Sequence, residues 1–173
     1  MNQDRIRIRL AVQEDMTAIM SVFAQARAAI AALGIDQWQD GYPTEAHIGA
    51  DIEKGYAYVL CTGGTVQGYF AMIGDPEPTY ARIYDGAWLT DGDYTTVHRV
   101  AMSDALRGKG GAAEAMLYVI SRTLRAGVPA VRIDTHEGNA PMRAMLERNG
   151  YLMCGSVYLE NGEHRVAYEK IVK

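Results

Sequence analysis

The residues best suited to chemistry gather in one stretch, Val97-His-Arg-Val-Ala-Met-Ser-Asp-Ala-Leu-Arg-Gly-Lys-Gly-Gly-Ala-Ala113. Val97 to Met102 has the content of a short buried strand, Arg107 to Ala113 is a glycine-rich turn, and the residues after it carry helical apolar spacing. A strand, a loop and a helix start in that order make an anion site. The glycines let backbone N–H groups converge, and the positive end of the helix dipole adds to the attraction. A phosphate group is the natural guest.

Spacing narrows whose phosphate it is. No stretch supplies G-x-x-x-x-G-K-[ST], so a phosphate-loop NTPase is excluded. Gly108-Lys-Gly110-Gly-Ala-Ala113 does satisfy the dinucleotide pattern G-x-G-x-x-[GA], and Asp134 ends the next strand as a ribose-binding acid would. Against a dinucleotide-binding domain, five residues, Ser103 to Arg107, separate the strand from the first glycine, and only 60 residues remain after Ala113. That is too little chain for the remaining strands of such a domain.

The elements that must position this stretch follow from periodicity. Arg5 to Ala11 alternates as a strand with Ile6, Ile8 and Leu10 on one face. A helix is expected from about Glu14 to Leu33, with Ile19, Val22, Phe23, Ala26, Ile30 and Leu33 as its stripe and Gly34 as its stop. The loop from Gly34 to Pro43 carries Trp38 and Tyr42 beside Asp36 and Asp40; the two aromatics either cover the core below the first helices or line a pocket, and both can hold at once. Thr44 caps a short helix to about Lys54, and Gly63-Gly64 turns a hairpin between Tyr56–Thr62 and Val66–Ile73. Pro76 and Pro78 mark a loop, Tyr80 to Leu89 reads as extended, and Asp91-Gly-Asp93 punctuates before the central strand. After it come a helix over 111–124 with Ala112, Met116, Val119, Ile120 and Leu124 as its stripe, a strand over 130–135, a helix over 139–149, and strands over 151–159 and 164–171 joined at Asn161-Gly162, a type I′ turn signal.

At 173 residues, with 49% hydrophobic and 22% charged residues, the chain suits one domain with a sizeable core, residues 1–173. A net charge of −4 and a pI near 5.5 give no electrostatic footprint for nucleic acid and favour cationic partners such as amines. The N-terminal Met-Asn-Gln-Asp-Arg-Ile-Arg-Ile-Arg has no hydrophobic run of signal or membrane length, so a cytoplasmic protein without a membrane partner is expected. Cys61 and Cys154 have neither metal-ligand spacing nor the density of a disulfide scaffold, and read as buried free thiols.

Arg107, Gly110 and Ala112 spell R-x-x-G-x-A, which resembles the [QR]-x-x-G-x-[GA] signature of the GNAT superfamily of acyl-CoA-dependent N-acetyltransferases. It is followed by Arg132-Ile-Asp-Thr-His-Glu-Gly-Asn139 and then by Gly150-Tyr151, similar to a second block of that family: a strand, an Asn opening a helix, and a Gly-aromatic pair opening the next strand. The resemblance implies an α/β (α+β) fold, a single GNAT-like domain with a mixed central sheet of about seven strands, helices on both faces, and splayed fourth and fifth strands. It further implies an N-acetyltransferase that moves the acetyl group of acetyl-CoA to a primary amine of a small molecule or peptide by direct attack, with no metal. A homodimer is compatible with it.

Carried over residue by residue, the resemblance places the backbone of Val100 and Met102 against pantetheine, with the Val100 amide as oxyanion donor. It places the segment Arg107, Gly108, Lys109, Gly110, Gly111 and Ala112 on the pyrophosphate, Asn139 on the pantetheine arm, and Trp38 and Tyr42 on the acceptor side. Asn139 is otherwise a plain helix cap. Since an alkylammonium must lose a proton before attack, a base is needed, and the family's positions fall on Asp134 and His98. Taken as residues alone, Asp134 is an ordinary partner for Arg99 or Arg132, and His98 an ordinary core histidine. A metal site of His98, Asp134 and His136 lacks ligand spacing. The chain departs from the family at Leu146, four residues before Gly150, where many members carry a tyrosine as general acid. Leucine cannot donate a proton. Another group does so, the thiolate leaves unaided, or the chain is a non-catalytic acyl-CoA-binding module.

Overall fold

The structure, a computed structural model, describes residues 5–173; the Met1–Asp4 part of the charged N-terminal stretch lies outside the described residues. The chain gathers into two compact units, one reaching through Met72 and including Arg99–Tyr118, the other made of Ile73–His98 and Val119–Lys173.

In the first unit, strands β1 (Arg7–Leu10), β2 (Ala57–Thr62) and β3 (Thr65–Ile73) pair antiparallel in sequence order. Helix α1 (Met16–Ala31) buries Ile19, Val22, Phe23, Ala26 and Ile30, the expected stripe, but Leu33 lies beyond its end and is exposed. A 3₁₀ turn, Gln13–Asp15, precedes it, held by Asp15, which accepts from both terminal nitrogens of Arg9 (2.7 and 2.9 Å) and from the Val12 amide. Thr44 opens α2 (Glu45–Glu53), its amide donating to Nδ1 of His47 at 3.0 Å. Strand β2 is buried along most of its length, as a strand with neighbours on both sides must be. Strand β1 lies at the sheet edge, and Leu10, expected to face inward, is half exposed.

In the second unit, β5 (Ala130–Thr135) and β6 (Leu152–Tyr158) flank β7 (His164–Ile171), antiparallel to both, and α4 (Ala140–Arg148) joins β5 to β6. The β6–β7 hairpin forms, but its turn is not type I′: Gly162 has φ 85° while Asn161 has no positive φ, and Leu159 bonds across to Glu163. Type I′ needs both central residues left-handed, so this is the longer turn that ends on one left-handed glycine.

Strand β4 (Thr95–Met102) and helix α3 (Gly111–Arg125) run on from one unit into the other, and among the described residues the strand order is β1-β2-β3-β4-β5-β7-β6, a mixed seven-stranded sheet with four α-helices. The parallel register of β4 on β5 comprises Thr95–Val131 and Thr96–Arg132 and then stops, although β4 continues to Met102 and β5 to Thr135. The two strands splay from that point. On α3, Leu124 is exposed, and fully buried Thr123 takes the inward place instead, its hydroxyl bonded to that of Thr95 at 3.0 Å.

The segment between β3 and β4 is not the extended strand expected over 80–89. A 3₁₀ turn, Pro78–Tyr80, is followed by chain that folds back on itself, with the Trp88 indole N–H donating to the Tyr80 carbonyl at 3.0 Å. Tyr80 and Trp88 pack with Val157 and Ala167 through this fold-back, not by sharing a strand face. The return leg lies against β6, joined by the Tyr84–Ser156 bridge. A Cβ on Gly86 would stand 1.9 Å from the Cys154 carbonyl oxygen, so only glycine lets the two backbones come this close. Among the described residues, no helix is long and apolar enough to cross a membrane.

Candidate functional site

In the first unit the glycine turn before α3 is built from its scaffold outward. The Ser103 amide and hydroxyl bond the Gln67 carbonyl (2.8 Å) and side-chain oxygen (2.6 Å), which ends β4 against β3. Leu106 is buried as the turn's anchor, and the amides of Arg107 and Lys109 donate inward, to the carbonyls of Ser103 (2.8 Å) and Leu106 (3.0 Å). The Arg107 side chain pairs with Asp104 and reaches the Gln25 carbonyl of α1. Gly108 and Gly110 have φ of 72° and 86°, a backbone that side chains resist, and among the described residues their amides donate to no protein acceptor. Gly111 and Ala112 then begin α3, where first-turn N–H groups have no partner in the helix itself. The backbone donors of the turn left without a protein acceptor among the described residues are therefore those of Gly108, Gly110, Gly111 and Ala112. The sides of the turn that carry Arg107 and Lys109 amides are spent on holding its shape.

The same unit holds the aromatic loop. Trp38, at φ 63°, is partly buried edge-on to Phe23, with ring centroids 5.5 Å apart. Arg27 clamps the loop by donating to the carbonyls of Gly41, Tyr42 and Pro43 (3.1, 3.2 and 2.6 Å). The Tyr42 hydroxyl accepts from Arg99 at 2.7 Å, and Arg99 makes a two-pronged pair with Asp51 of α2 (2.8 and 2.7 Å). Asp51 also accepts from the Tyr69 hydroxyl at 2.6 Å. Burial works against the guanidinium's charge, yet Tyr42 and Asp51 hold Arg99 above its ordinary pKa, while burial and the Asp51 charge push the Tyr69 hydroxyl up. Arg99 itself sits at φ 56° within β4, an uncommon backbone for a long side chain.

The second unit holds the titratable cluster. His98 Nε2 lies 2.7 Å from Oε2 of Glu77, which stands between the two prolines of the loop and carries no site motif in the sequence. Asp134 is bonded neither to Arg99 nor to Arg132: its Oδ2 accepts from the Tyr80 hydroxyl at 2.6 Å. His98 and Asp134 do come into one cluster, but through Tyr80, whose ring centroid lies 6.2 Å from that of the imidazole. The His98 hydrogen bond holds the Glu77 carboxyl down to about 2, against the opposing effect of burial and with help from Thr79. Burial and the neighbouring Asp134 push the Tyr80 hydroxyl well above its ordinary range, so it keeps its proton and donates.

Behind this cluster, buried Glu169 accepts from the Leu89 and Thr90 amides, the Thr90 hydroxyl and Arg132, and the Arg132 guanidinium is sandwiched between the rings of Trp88 (4.2 Å) and Tyr94 (4.1 Å). Asn139 makes the plain cap, accepting from the Met142 amide at 3.3 Å at the start of α4. His136 accepts from the Gly138 amide through Nδ1, and among the described residues no group of three or more His, Cys, Asp or Glu is arranged to hold a metal ion. Leu146 is fully buried.

Comparison with known proteins decides what kind of chain carries these features. Residues 12–151 match the acetyltransferase (GNAT) family. The chain belongs to that family. A GNAT-family acetyltransferase from Streptococcus agalactiae is 41% identical, with 97% of this chain and 96% of that one covered at a TM-score of 0.84. A GNAT acetyltransferase from Listeria monocytogenes, 21% identical over 96% and 94% of the chains, and the ribosomal-protein-S18-alanine N-acetyltransferase of Escherichia coli, 13% identical over 98% and 95%, share the fold at TM-scores of 0.74 and 0.68. No curated protein matches the chain. Within the GNAT fold, the splay of β4 from β5 is the feature the resemblance implies, and the glycine turn opening α3 the one the residues themselves predict.

Proposed function

We propose that this GNAT acetyltransferase, acting in the cytoplasm as one domain over residues 1–173, transfers the acetyl group of acetyl-CoA to a primary amine of a small molecule or peptide. The observation that carries the reading is the turn at the start of α3, whose Gly108 and Gly110 amides lack protein acceptors and whose helix start adds further donors. These donors suit a pyrophosphate, and glycine at 108 and 110 leaves no side chain between it and the backbone. Bound acetyl-CoA would supply an acyl thioester to the attacking nitrogen, and its thiol would leave. Val100 and Met102 are assigned to the pantetheine and the oxyanion through their backbone, and Asn139 to the pantetheine arm. The left-handed Arg99 directly before Val100 supports a local turn in β4 there. Trp38 and Tyr42 are assigned to the acceptor side, and His98 and Asp134 are the two candidates for taking the proton.

The fully buried Leu146 favours a second reading, a non-catalytic acyl-CoA-binding module, because that position holds no proton donor. Thiol release from acetyl-CoA over a panel of polyamines, amino acids, aminoglycosides and peptides separates the two: a transferase turns over with at least one, a binding module with none. A thermal-shift series with acetyl-CoA, CoA and NAD(H) tests the cofactor, with stabilisation expected from the first two only. Gly110→Asp puts a side chain and a negative charge among the outward amides, so acetyl-CoA affinity falls at least about tenfold, roughly 1.4 kcal/mol. Equal affinity in the folded variant overturns the cofactor assignment.

A further inference from the structure

The carboxylate that faces His98 is unusually constrained. Pro76 and Pro78 flank Glu77, and the Glu77 amide donates to the Tyr94 hydroxyl at 3.1 Å. Its two oxygens have separate duties: Oε1 accepts from the Thr79 amide (3.2 Å) and hydroxyl (3.1 Å), and Oε2 meets Nε2 of His98. A carboxyl held down to about 2 is ionised near neutral pH and can only accept. Nε2 must therefore carry a hydrogen, which in the neutral imidazole leaves the lone pair on Nδ1. Among the described residues Nδ1 has no hydrogen-bond partner, and the side chain keeps 22% of its surface exposed.

The other groups packed around the ring do not compete for this role. Tyr80 presents its ring to His98 and spends its hydroxyl on Asp134. Tyr94 spends its hydroxyl on the Glu77 amide, and Arg132, stacked on the Tyr94 ring, is paired with Glu169 at 3.0 Å. The charge in direct contact with the imidazole is that of Glu77.

The geometry points to Glu77 as the positioning residue for His98, and to Nδ1 of His98 as the atom that takes the proton of the acceptor amine. The second half rests on the acetyl-transfer function proposed above. An ammonium N–H bond breaks, directly at Nδ1 or through one water. Its electron pair stays on the amine nitrogen for attack, and the imidazolium keeps its Nε2 hydrogen on Glu77 until Nδ1 returns the proton to solvent. Asp134 is then a brace for Tyr80, not the partner of His98.

Nitrogen-15 NMR of the imidazoles in the whole protein tests the pair without needing a substrate. The expected result is the Nε2–H tautomer for His98, lost or weakened in Glu77→Gln, partly kept in Glu77→Asp, and unchanged in Asp134→Asn. The kinetic counterpart is a kcat/KM profile whose ascending limb moves to lower pH in Glu77→Gln and stays in place in Asp134→Asn, with acetyl-CoA binding intact in both. An Nδ1–H tautomer in the parent protein overturns the inference by itself, even if a variant fails to fold, and so does a His98 signal that follows Asp134 and ignores Glu77. If the Nε2–H tautomer is found and no amine in the panel is acetylated, the acetyl-transfer function and the proton role of Nδ1 fall, while Glu77 stands as the group that orients His98.

Discussion

Adjacent residues of β4 anchor two clusters made from the same kinds of group. Arg99 meets Asp51 with both prongs, Tyr69 donates to the same carboxylate, and Tyr42 fills a remaining guanidinium donor. His98 meets Glu77 through one nitrogen, and its neighbour Tyr80 is bonded to a different carboxylate, Asp134. In the first cluster every strong group points at another, and the Asp51 side chain is only 7% exposed. In the second, one ring nitrogen is left over at a partly exposed position. A saturated ionic cluster can fix a loop and a helix but has no lone pair to lend. A cluster with one unpartnered base can move a proton.

The largest expected effect tests the structural side of that contrast. Arg99→Met leaves the buried Asp51 with Tyr69 alone, and removing one partner of a buried pair costs about 3–5 kcal/mol, read as a drop in urea midpoint. A loss below about 1 kcal/mol would place Arg99 among groups of marginal structural worth and erase the contrast. Next comes His98→Ala, for which kcat/KM falls about 10²-fold, with a smaller change in urea midpoint than Arg99→Met produces. Turnover within a few-fold of the parent would take the proton role from His98.

The smallest effect is a pH dependence. The Glu77 carboxyl is held at about 2 in the folded protein, below its ordinary 4.5, so its contribution to stability is complete above about 4.5 and disappears as the pH falls towards 2. Because the His98 hydrogen bond is the main cause, the loss of urea midpoint between pH 6 and pH 3 should be smaller in His98→Ala than in the parent. Equal losses would mean that the pair is not formed in solution.

What the sequence disclosed and what it hid divide along contact distance. The stripe of α1, the 63–64 hairpin and the glycine turn before α3 are local patterns, and each forms close to where it was expected. The site's partners are not local. Glu77 and His98 are 21 residues apart, Arg99 and Asp51 are 48, and Tyr80 and Asp134 are 54. Spacing along the chain carries no trace of such pairs. The family resemblance points to His98 and Asp134 together, but the loop that intervenes between β3 and β4 supplies the groups each one bonds. The same loop reads as extended over 80–89 in the sequence, whereas Tyr80 and Trp88 are brought together by a folded-back turn. The tyrosine that caps Asp134 and the glutamate that orients His98 had no signal beyond standing near two prolines.

Those two prolines matter before the chain has folded. Pro76 and Pro78 fix their own φ and restrict the residues ahead of them, so the unfolded segment around Glu77 samples fewer shapes. A compatible proline stabilises a protein by about 0.4–1 kcal/mol through this route alone, by trimming the entropy that ordering must remove. A loop ordinarily blurs the aim of any side chain it carries. Here the disorder is already thinned on both sides of Glu77, so the precision with which its carboxylate meets His98 is owed partly to a state in which the two residues are not in contact at all.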